Sequence, residues 1–150
     1  MAQINDPLSV SPHFSLDEVC TTSTELENTI PDALIPNAIR LAEQVLEPWR
    51  ILVGPLQINS WYRSRAVNKA VGGEAFSAHL EARAADCVPR GNIVNAFKML
   101  IAGEIPFDKA ILEDNRWIHV QVAPEGQVPK GHVLEGMKEG NRMVYRSYSA

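Results

Sequence analysis

The chain has 150 residues, of which 45% are hydrophobic and 21% charged, with a formal net charge of −4. This length and composition are typical of one soluble globular domain with a single core, which needs no disulfides or partner subunits to fold. Acidic and basic residues are mixed along the chain without a basic run, which argues against a nucleic-acid-binding protein.

The two cysteines, Cys20 and Cys87, lie far apart, and their number alone excludes a cysteine-rich structural zinc site. Whether they pair stays open at this point. Residues 1–11 lack a charged stretch followed by an apolar one, and no apolar run approaches the length of a membrane span. We therefore expect synthesis in the cytoplasm without a signal peptide, and no insertion into a membrane.

The first predicted elements are a loose arm and two helices. Residues 1–12 are polar and carry two prolines, which predicts a loose N-terminal arm. Ser15 and Glu18 have the spacing of a capping box at the start of a short helix. Apolar residues recur at helical spacing over residues 34–49, and this is the strongest helix signal of the chain.

Downstream of that helix, short apolar or alternating runs predict a small sheet with two further helices. The strands are predicted at residues 56–60, 84–88, 108–113, 117–122 and 143–148, and the helices at 65–71 and 92–101. Residues 74–83 have no sustained apolar period, which indicates an exposed functional loop. The stretch after Pro124 is rich in glycine and proline until the last strand. The fold class is therefore α+β, a single domain over residues 1–150 with helices packed against a small, mainly antiparallel sheet.

Three residues are candidates for a metal site. His79 and Asp86 form a weak pair on spacing alone, for which a solvated histidine and a strand-end aspartate are the favoured interpretation. His119 lies in WIHVQV, where alternation places it with Trp117 and Gln121 on the face opposite the apolar one. His119 is therefore expected to face a cleft.

A glutamate lies close to this histidine along the predicted hairpin. The turn over residues 114–116 brings the carboxylate of Glu113 back towards His119. Glu113 is alternatively a plain turn residue, and Asp114 is a competing candidate that is better suited to shape the turn. Two histidines and one carboxylate leave one position of a tetrahedral zinc open, and a nearby glutamate can move protons. These groups are the minimum apparatus for hydrolysing a peptide bond.

The segment SWYRSRAVNKAVGGEAFSAHLEARAAD, followed by EDNRWIH, resembles the zinc D-Ala-D-Ala peptidase family. This family includes VanY-type carboxypeptidases and several phage endolysins. The resemblance runs from about His13 to Val122 and implies the hedgehog/DD-peptidase fold. The site residues that it implies are His79, Asp86 and His119 as ligands of one zinc ion, Glu113 as the catalytic base, and Arg63 and Ser77 as substrate contacts.

Three positions depart from the family pattern. Ala82 and Trp61 replace family glycines, and Trp117 stands where some members carry a second histidine. Ala82 is a mild change if its φ is negative and a strained one otherwise. Trp61 adds bulk near Arg63, so we expect it either to narrow the substrate groove or to pack in the core.

The resemblance implies a zinc peptidase acting on the peptide stems of bacterial peptidoglycan, as a DD-carboxypeptidase or an L-Ala-D-Glu-type endopeptidase. The small size and missing signal peptide indicate a phage endolysin released through a holin, or a component of the virion. Two alternatives stay open. One is a zinc-stabilised structural or binding module without turnover, such as a virion accessory protein, and the other is a cytosolic dipeptidase on D-Ala-D-Ala. The oligomeric state also stays open.

Overall fold

A six-stranded mixed sheet organises the chain. The computed structural model describes residues 8–149. Its strands follow the order β3-β4-β6-β5-β7-β8, in which β5 and β7 are parallel and all other neighbours are antiparallel. The bounds are β3 Leu56–Ser60, β4 Ala84–Pro89, β5 Lys109–Glu113, β6 Trp117–Gln121, β7 His132–Glu139 and β8 Arg142–Ser147. The predicted α+β class with a mainly antiparallel sheet is confirmed.

The N-terminal part is more ordered than predicted. Residues 1–7 of the expected loose arm lie outside the described residues, but Ser9–Ser11 forms strand β1, which pairs with β2 (Phe14–Ser15). The prediction of a loose arm is therefore wrong for residues 9–11, because this segment is a strand whose Val10 is buried in the core. Ser15 and Glu18 form the predicted capping box of α1 (Leu16–Val19).

The predicted long helix is present as one continuous run with changing pitch. A 3-10 turn (Asp32–Leu34) leads into α2 (Ile35–Leu41), a π-helical segment (Ala42–Leu46) and α3 (Glu47–Val53). The wide turn precedes Pro48, which has no N–H to continue the helical hydrogen-bond pattern. Helix α3 is tied to the next layer by Trp49, whose Nε1 donates to the Ala96 carbonyl over 3.0 Å.

The other helical elements are short. Helix α4 covers Arg65–Ala70, a 3-10 turn covers Ala78–Glu81, and α5 covers Ile93–Ala102. Helix α5 packs against both α3 and the inner face of the sheet. Within residues 8–149, no helix combines the length and apolarity that crossing a membrane requires.

Strand β7 was not predicted. Its sequence HVLEGMKE carries three charged residues and a central glycine, so it lacks the alternation that marks a half-buried strand. Its stability comes from backbone pairing on both sides, with β5 and with β8. The predicted last strand is confirmed at β8, which forms the edge of the sheet.

The two faces of the sheet have different roles. Ala85, Cys87, Ile118 and Val120 belong to the buried cluster that the helices cover. Cys87 and Cys20 are both free thiols, and burial raises the pKa of Cys87 well above its usual value. The opposite face of the central strands carries the polar side chains of the site.

Candidate functional site

Strand register brings two of the predicted ligands together. Asp86 on β4 pairs directly with His119 on β6, so both side chains lie on the same face of the sheet. His79 reaches them from the 3-10 turn Ala78–Glu81, inside the stretch predicted as an exposed functional loop. The exposure is wrong for Ala78, His79 and Ala82, which are buried. The backbone N–H of His79 donates to the Ser77 hydroxyl over 3.2 Å, which caps this turn.

The three side chains converge on one point. Oδ1 of Asp86 lies 3.4 Å from Nε2 of His79 and 3.2 Å from Nδ1 of His119. Each residue offers one atom that could bind a metal ion, and these three atoms all lie within 4.8 Å of one another. His79 is 2% exposed and Asp86 8% exposed, while His119 is half-buried and all three line one cavity. The arrangement can hold a single metal ion.

A backbone carbonyl defines the tautomer of His79. Nδ1 of His79 lies 2.7 Å from the carbonyl oxygen of Trp61. A carbonyl oxygen only accepts, so Nδ1 carries the hydrogen and the lone pair of Nε2 points towards Asp86. This is the usual way in which proteins orient a histidine ligand.

His119 is oriented through its opposite ring nitrogen by a residue that the sequence did not identify as functional. Nε2 of His119 lies 2.8 Å from Oε1 of Gln121, whose amide nitrogen donates to Asp108 over 3.3 Å. Because a carboxylate only accepts, the amide nitrogen faces Asp108, and Oε1 accepts from Nε2 of His119. Nδ1 of His119 therefore carries no hydrogen, and its lone pair points towards Oδ1 of Asp86. The alternation of β6 had placed Gln121 on this face, but nothing in the sequence indicated its contact.

The second oxygen of Asp86 is held by Arg63. Nη2 of Arg63 donates to Oδ2 of Asp86 over 3.1 Å. Nε donates to the Ser60 hydroxyl over 3.0 Å and Nη1 to Oδ1 of Asn68 over 3.3 Å. All three guanidinium nitrogens thus have protein partners, and Arg63 holds the carboxylate of Asp86 in place. Its role as a substrate contact, like that of Ser77, stays a prediction.

The electrostatics of the cluster favour an ionised Asp86. Burial raises the pKa of Asp86, but the adjacent His79 and His119 outweigh burial and hold that pKa well below its usual range. Burial lowers the pKa of His79 more than Asp86 raises it. For His119, the hydrogen bond and charge of Asp86 outweigh burial and raise its pKa. A divalent cation bound at this point would replace the proton that the carboxylate and His119 attract.

Glu113 ends β5 on the same face of the sheet as this cluster. It is 6% exposed, and burial raises its pKa, against the opposing effect of a hydrogen bond from Tyr145. The neighbouring Asp114 has a φ of 52° and Asn115 a φ of 54°, so these residues form the turn between β5 and β6. Asp114 shapes the turn, as the sequence predicted, and Glu113 lines the cavity above the cluster.

That cavity has a volume of about 570 Å³. It is open on one side, and a second cavity of about 500 Å³ adjoins it across Phe76, which is 98% exposed. The residues that line the first cavity include Arg63, Ser77, Trp117 and Tyr145. The site can therefore admit an extended substrate.

The departures from the family pattern have separate structural outcomes. Trp61 is completely buried, donates to the Ala82 carbonyl over 3.2 Å and packs edge-on against Phe14. Of the two roles expected for Trp61, packing in the core is the one observed. Ala82 has a φ of 60° and so adopts the strained left-handed conformation that a glycine tolerates better. Trp117 lines the cavity.

A family model described as Peptidase M15 matches residues 12–121 of the chain. The matched span contains the convergent cluster and Glu113, and it ends with β6, so β7 and β8 lie beyond it. No curated protein matches the chain in a sequence comparison.

Proposed function

The chain belongs to the peptidase M15 family, and from this we propose that it is a zinc peptidase that hydrolyses the stem peptides of bacterial peptidoglycan. The observation that carries the proposal is the convergence of His79, Asp86 and His119 beneath a cavity that Glu113 lines. The bond cleaved is proposed to be that of a DD-carboxypeptidase or an L-Ala-D-Glu-type endopeptidase.

The donor set suits zinc. Two imidazole nitrogens and one carboxylate oxygen are a common ligand set of catalytic zinc sites, which keep the fourth position open. The remaining polar atom of each ligand is occupied by Trp61, Gln121 or Arg63, which leaves one donor atom per residue aimed at the centre. We propose that one zinc ion is held there.

A zinc ion held by His79, Asp86 and His119 would supply Lewis-acid activation of the scissile carbonyl and of a water molecule. Glu113 accepts the proton of that water on Oε1, the oxygen farther from the Tyr145 hydroxyl, as the water attacks the carbonyl carbon. The C–N bond then breaks, and Glu113 returns the proton to the leaving nitrogen. A glutamate with a raised pKa is suited to both transfers.

We propose that the cavity binds a peptide substrate with free carboxylates, such as a stem peptide, through its cationic side chains. Arg63, Arg83 and Lys109 line it, and their charge is balanced by three lining carboxylates, those of Glu74, Asp86 and Glu113. We propose that Arg63 and Ser77 contact the substrate, since both lie at the cavity beside the cluster. The setting of a phage endolysin released through a holin, or of a virion component, stays a prediction from the sequence.

The proposal is tested by incubating the purified chain with peptidoglycan sacculi and identifying released peptides by mass spectrometry. We expect the wild type to release peptides, a chelator to stop the release, and added zinc to restore it. Glu113→Gln should lower the rate by roughly 10²-fold or more. Asp114→Asn is the matched control, because asparagine keeps the turn conformation and should retain full activity.

Two results would contradict the proposal. A zinc-loaded wild type that releases nothing, and also leaves free D-Ala-D-Ala intact, would show a structural or binding module without turnover. Hydrolysis of the free dipeptide without any release from sacculi would show a cytosolic dipeptidase. The masses of the peptides released distinguish a carboxypeptidase from an endopeptidase.

A further inference from the structure

Tyr145 contacts the proposed base from a strand beyond the residues that match the family. Its hydroxyl lies 3.0 Å from Oε2 and 3.3 Å from Oε1 of Glu113. Glu113 is on β5 and Tyr145 on β8, and strand β7 lies between them. Among residues 8–149, this is the one side-chain hydrogen bond to Glu113.

The strand register explains how the side chain spans this distance. Glu113 pairs with Gly136 of β7, and Gly136 pairs with Tyr145 of β8, so the three residues form one row across the sheet. A Cβ at Gly136 would lie 2.7 Å from Cε1 and 3.0 Å from Cδ1 of Tyr145. The ring therefore lies directly over the glycine backbone, where any larger residue would displace it.

The role of Gly136 is one of space. Its φ lies outside the left-handed range found at five other glycines of the described chain, so the backbone conformation does not require glycine here. The requirement comes from side chains of β8, mainly the Tyr145 ring and, at 3.1 Å from the added Cβ, Cγ of Met143. The missing side chain at Gly136 thus lets the Tyr145 ring cross β7 and place its hydroxyl at Glu113, so the two residues act together.

The environment of Tyr145 argues against a role in core packing. Its side chain is on the edge strand, 48% exposed, and lines the cavity. Tyr148, by contrast, packs edge-on against the buried Phe97 with ring centroids 5.0 Å apart. A half-exposed ring whose hydroxyl meets a buried carboxylate contributes mainly through that hydrogen bond.

We propose that Tyr145 is a positioning residue for the peptidase reaction: its hydroxyl holds the carboxylate of Glu113 in place over the metal cluster, and Gly136 provides the gap that its ring crosses. This inference rests on the proposed function. Burial and the charge of Glu113 raise the pKa of Tyr145, so the hydroxyl keeps its proton and donates throughout the neutral range.

The test compares the steady-state kinetics of zinc-loaded wild type, Tyr145→Phe and Tyr148→Phe on soluble muropeptides. Tyr145→Phe should lower kcat roughly 10-fold, the effect of one lost hydrogen bond to a charged group, and leave KM nearly unchanged. Its zinc content should match the wild type, and its melting temperature should fall by only the few degrees expected for one lost hydrogen bond. Tyr148→Phe, the matched control, should keep full kcat.

Gly136→Ala provides an independent perturbation. In the wild-type background it should lower kcat as much as Tyr145→Phe does, because the ring is pushed away from Glu113. In the Tyr145→Phe background, where the hydroxyl is already absent, it should lower kcat no further. Additive decreases in kcat would show that Gly136 acts separately from Tyr145 and would contradict their joint role.

The outcomes separate this inference from the proposed function. If the wild type is active, Glu113→Gln is inactive and Tyr145→Phe keeps full kcat, the inference is wrong and the proposed function stands. If Tyr145→Phe loses zinc, or is already partly unfolded at the assay temperature, along with its loss of kcat, Tyr145 is structural and the inference is wrong. An inactive wild type contradicts the proposed function and with it a positioning role for Tyr145.

Discussion

Gln121 lies two residues after His119 on the same face of β6, and its Oε1 accepts a hydrogen bond from Nε2 of that histidine over 2.8 Å. Asp108 holds the amide nitrogen from the neighbouring strand end, over 3.3 Å. This chain of contacts determines which ring nitrogen of His119 faces the metal cluster. The orientation of His119, the proposed ligand, therefore depends on two residues outside the proposed donor set.

Gln121→Leu tests this dependence. The substitution keeps the approximate size of a nearly buried side chain and removes the acceptor for Nε2 of His119. We expect the zinc affinity to fall roughly 10–100-fold, the usual effect of losing such a contact. Competition with a chelator of known affinity measures it. The exposed Gln127, changed to leucine, is the control, and an unchanged affinity in Gln121→Leu would contradict the role of this hydrogen bond.

Arg63 is expected to act through Asp86 as well as on substrate. Lysine cannot reproduce the three directed contacts of the guanidinium, so Arg63→Lys should free Oδ2 of Asp86. We predict a zinc affinity about 10-fold weaker, together with lower kcat/KM. Arg90→Lys, in an exposed residue that lines neither cavity, should change neither. A higher KM with unaltered zinc affinity in Arg63→Lys would mean that the arginine contacts substrate alone.

Glu113→Gln is predicted to stabilise the zinc-free protein while removing activity. Burial raises the folded pKa of Glu113 above 4.5, so folding disfavours its charged form. The free-energy cost of burying the ionised carboxylate is absent below the pKa that Glu113 has in the unfolded chain. It grows as the pH rises towards the pKa in the folded chain and stays constant above it. Thermal unfolding of the zinc-free chains at pH 7 should therefore show Glu113→Gln melting a few degrees higher. Equal melting temperatures would contradict the burial of a charged Glu113.

Glu47 is expected to make the stability depend on acid pH. It accepts hydrogen bonds from the Ser11 hydroxyl over 2.6 Å and from the backbone N–H of His13 over 2.8 Å, and so ties β1 to α3. Nδ1 of His13 also lies 2.7 Å from Oε1 of Glu47. Burial raises the pKa of Glu47, but the contacts of Ser11 and of the side chain and backbone of His13 outweigh burial and lower the pKa below 4.5. The stability it adds is therefore present above pH 4.5 and lost as the pH falls through the lowered folded pKa.

The corresponding substitution is Glu47→Gln. It should cost about 1–2 kcal/mol of unfolding free energy at pH 7. The cost should shrink at acid pH, where wild-type Glu47 is itself protonated. Urea unfolding at several pH values measures both. Glu43→Gln, in an exposed residue of the same helical run, should be neutral, and a cost for Glu47→Gln that does not vary with pH would contradict the charge-based account.

The sequence predicted those parts of the site that depend on local geometry. The period of two along WIHVQV was enough to turn His119 away from the core, and the helix over residues 34–49 followed from its apolar spacing. The pairing of Asp86 with His119 is different, because it depends on strand register. Only the ordered resemblance to a family joined these residues before the structure showed them opposite each other.

Features that depend on contacts between distant segments escaped prediction. Strand β7 has a weak pattern because its backbone pairs on both sides while its central position must be Gly136. Tyr145 carries no local signal of a role, since its contact with Glu113 exists only once β7 has placed β8 beside the site. Val10 was predicted to lie in a loose arm because its burial depends on helical residues 25 or more positions along the chain, with which β1 packs.

The metal centre is tested most directly by counting zinc ions per chain in purified protein after dialysis against metal-free buffer. The account predicts one zinc per wild-type chain, and one in His132→Ala, which removes an exposed histidine outside the cluster. Asp86→Asn, which replaces the central carboxylate with a poor zinc ligand of the same shape, should retain almost none. A wild type without zinc, or an Asp86→Asn chain with a full ion, would contradict the account.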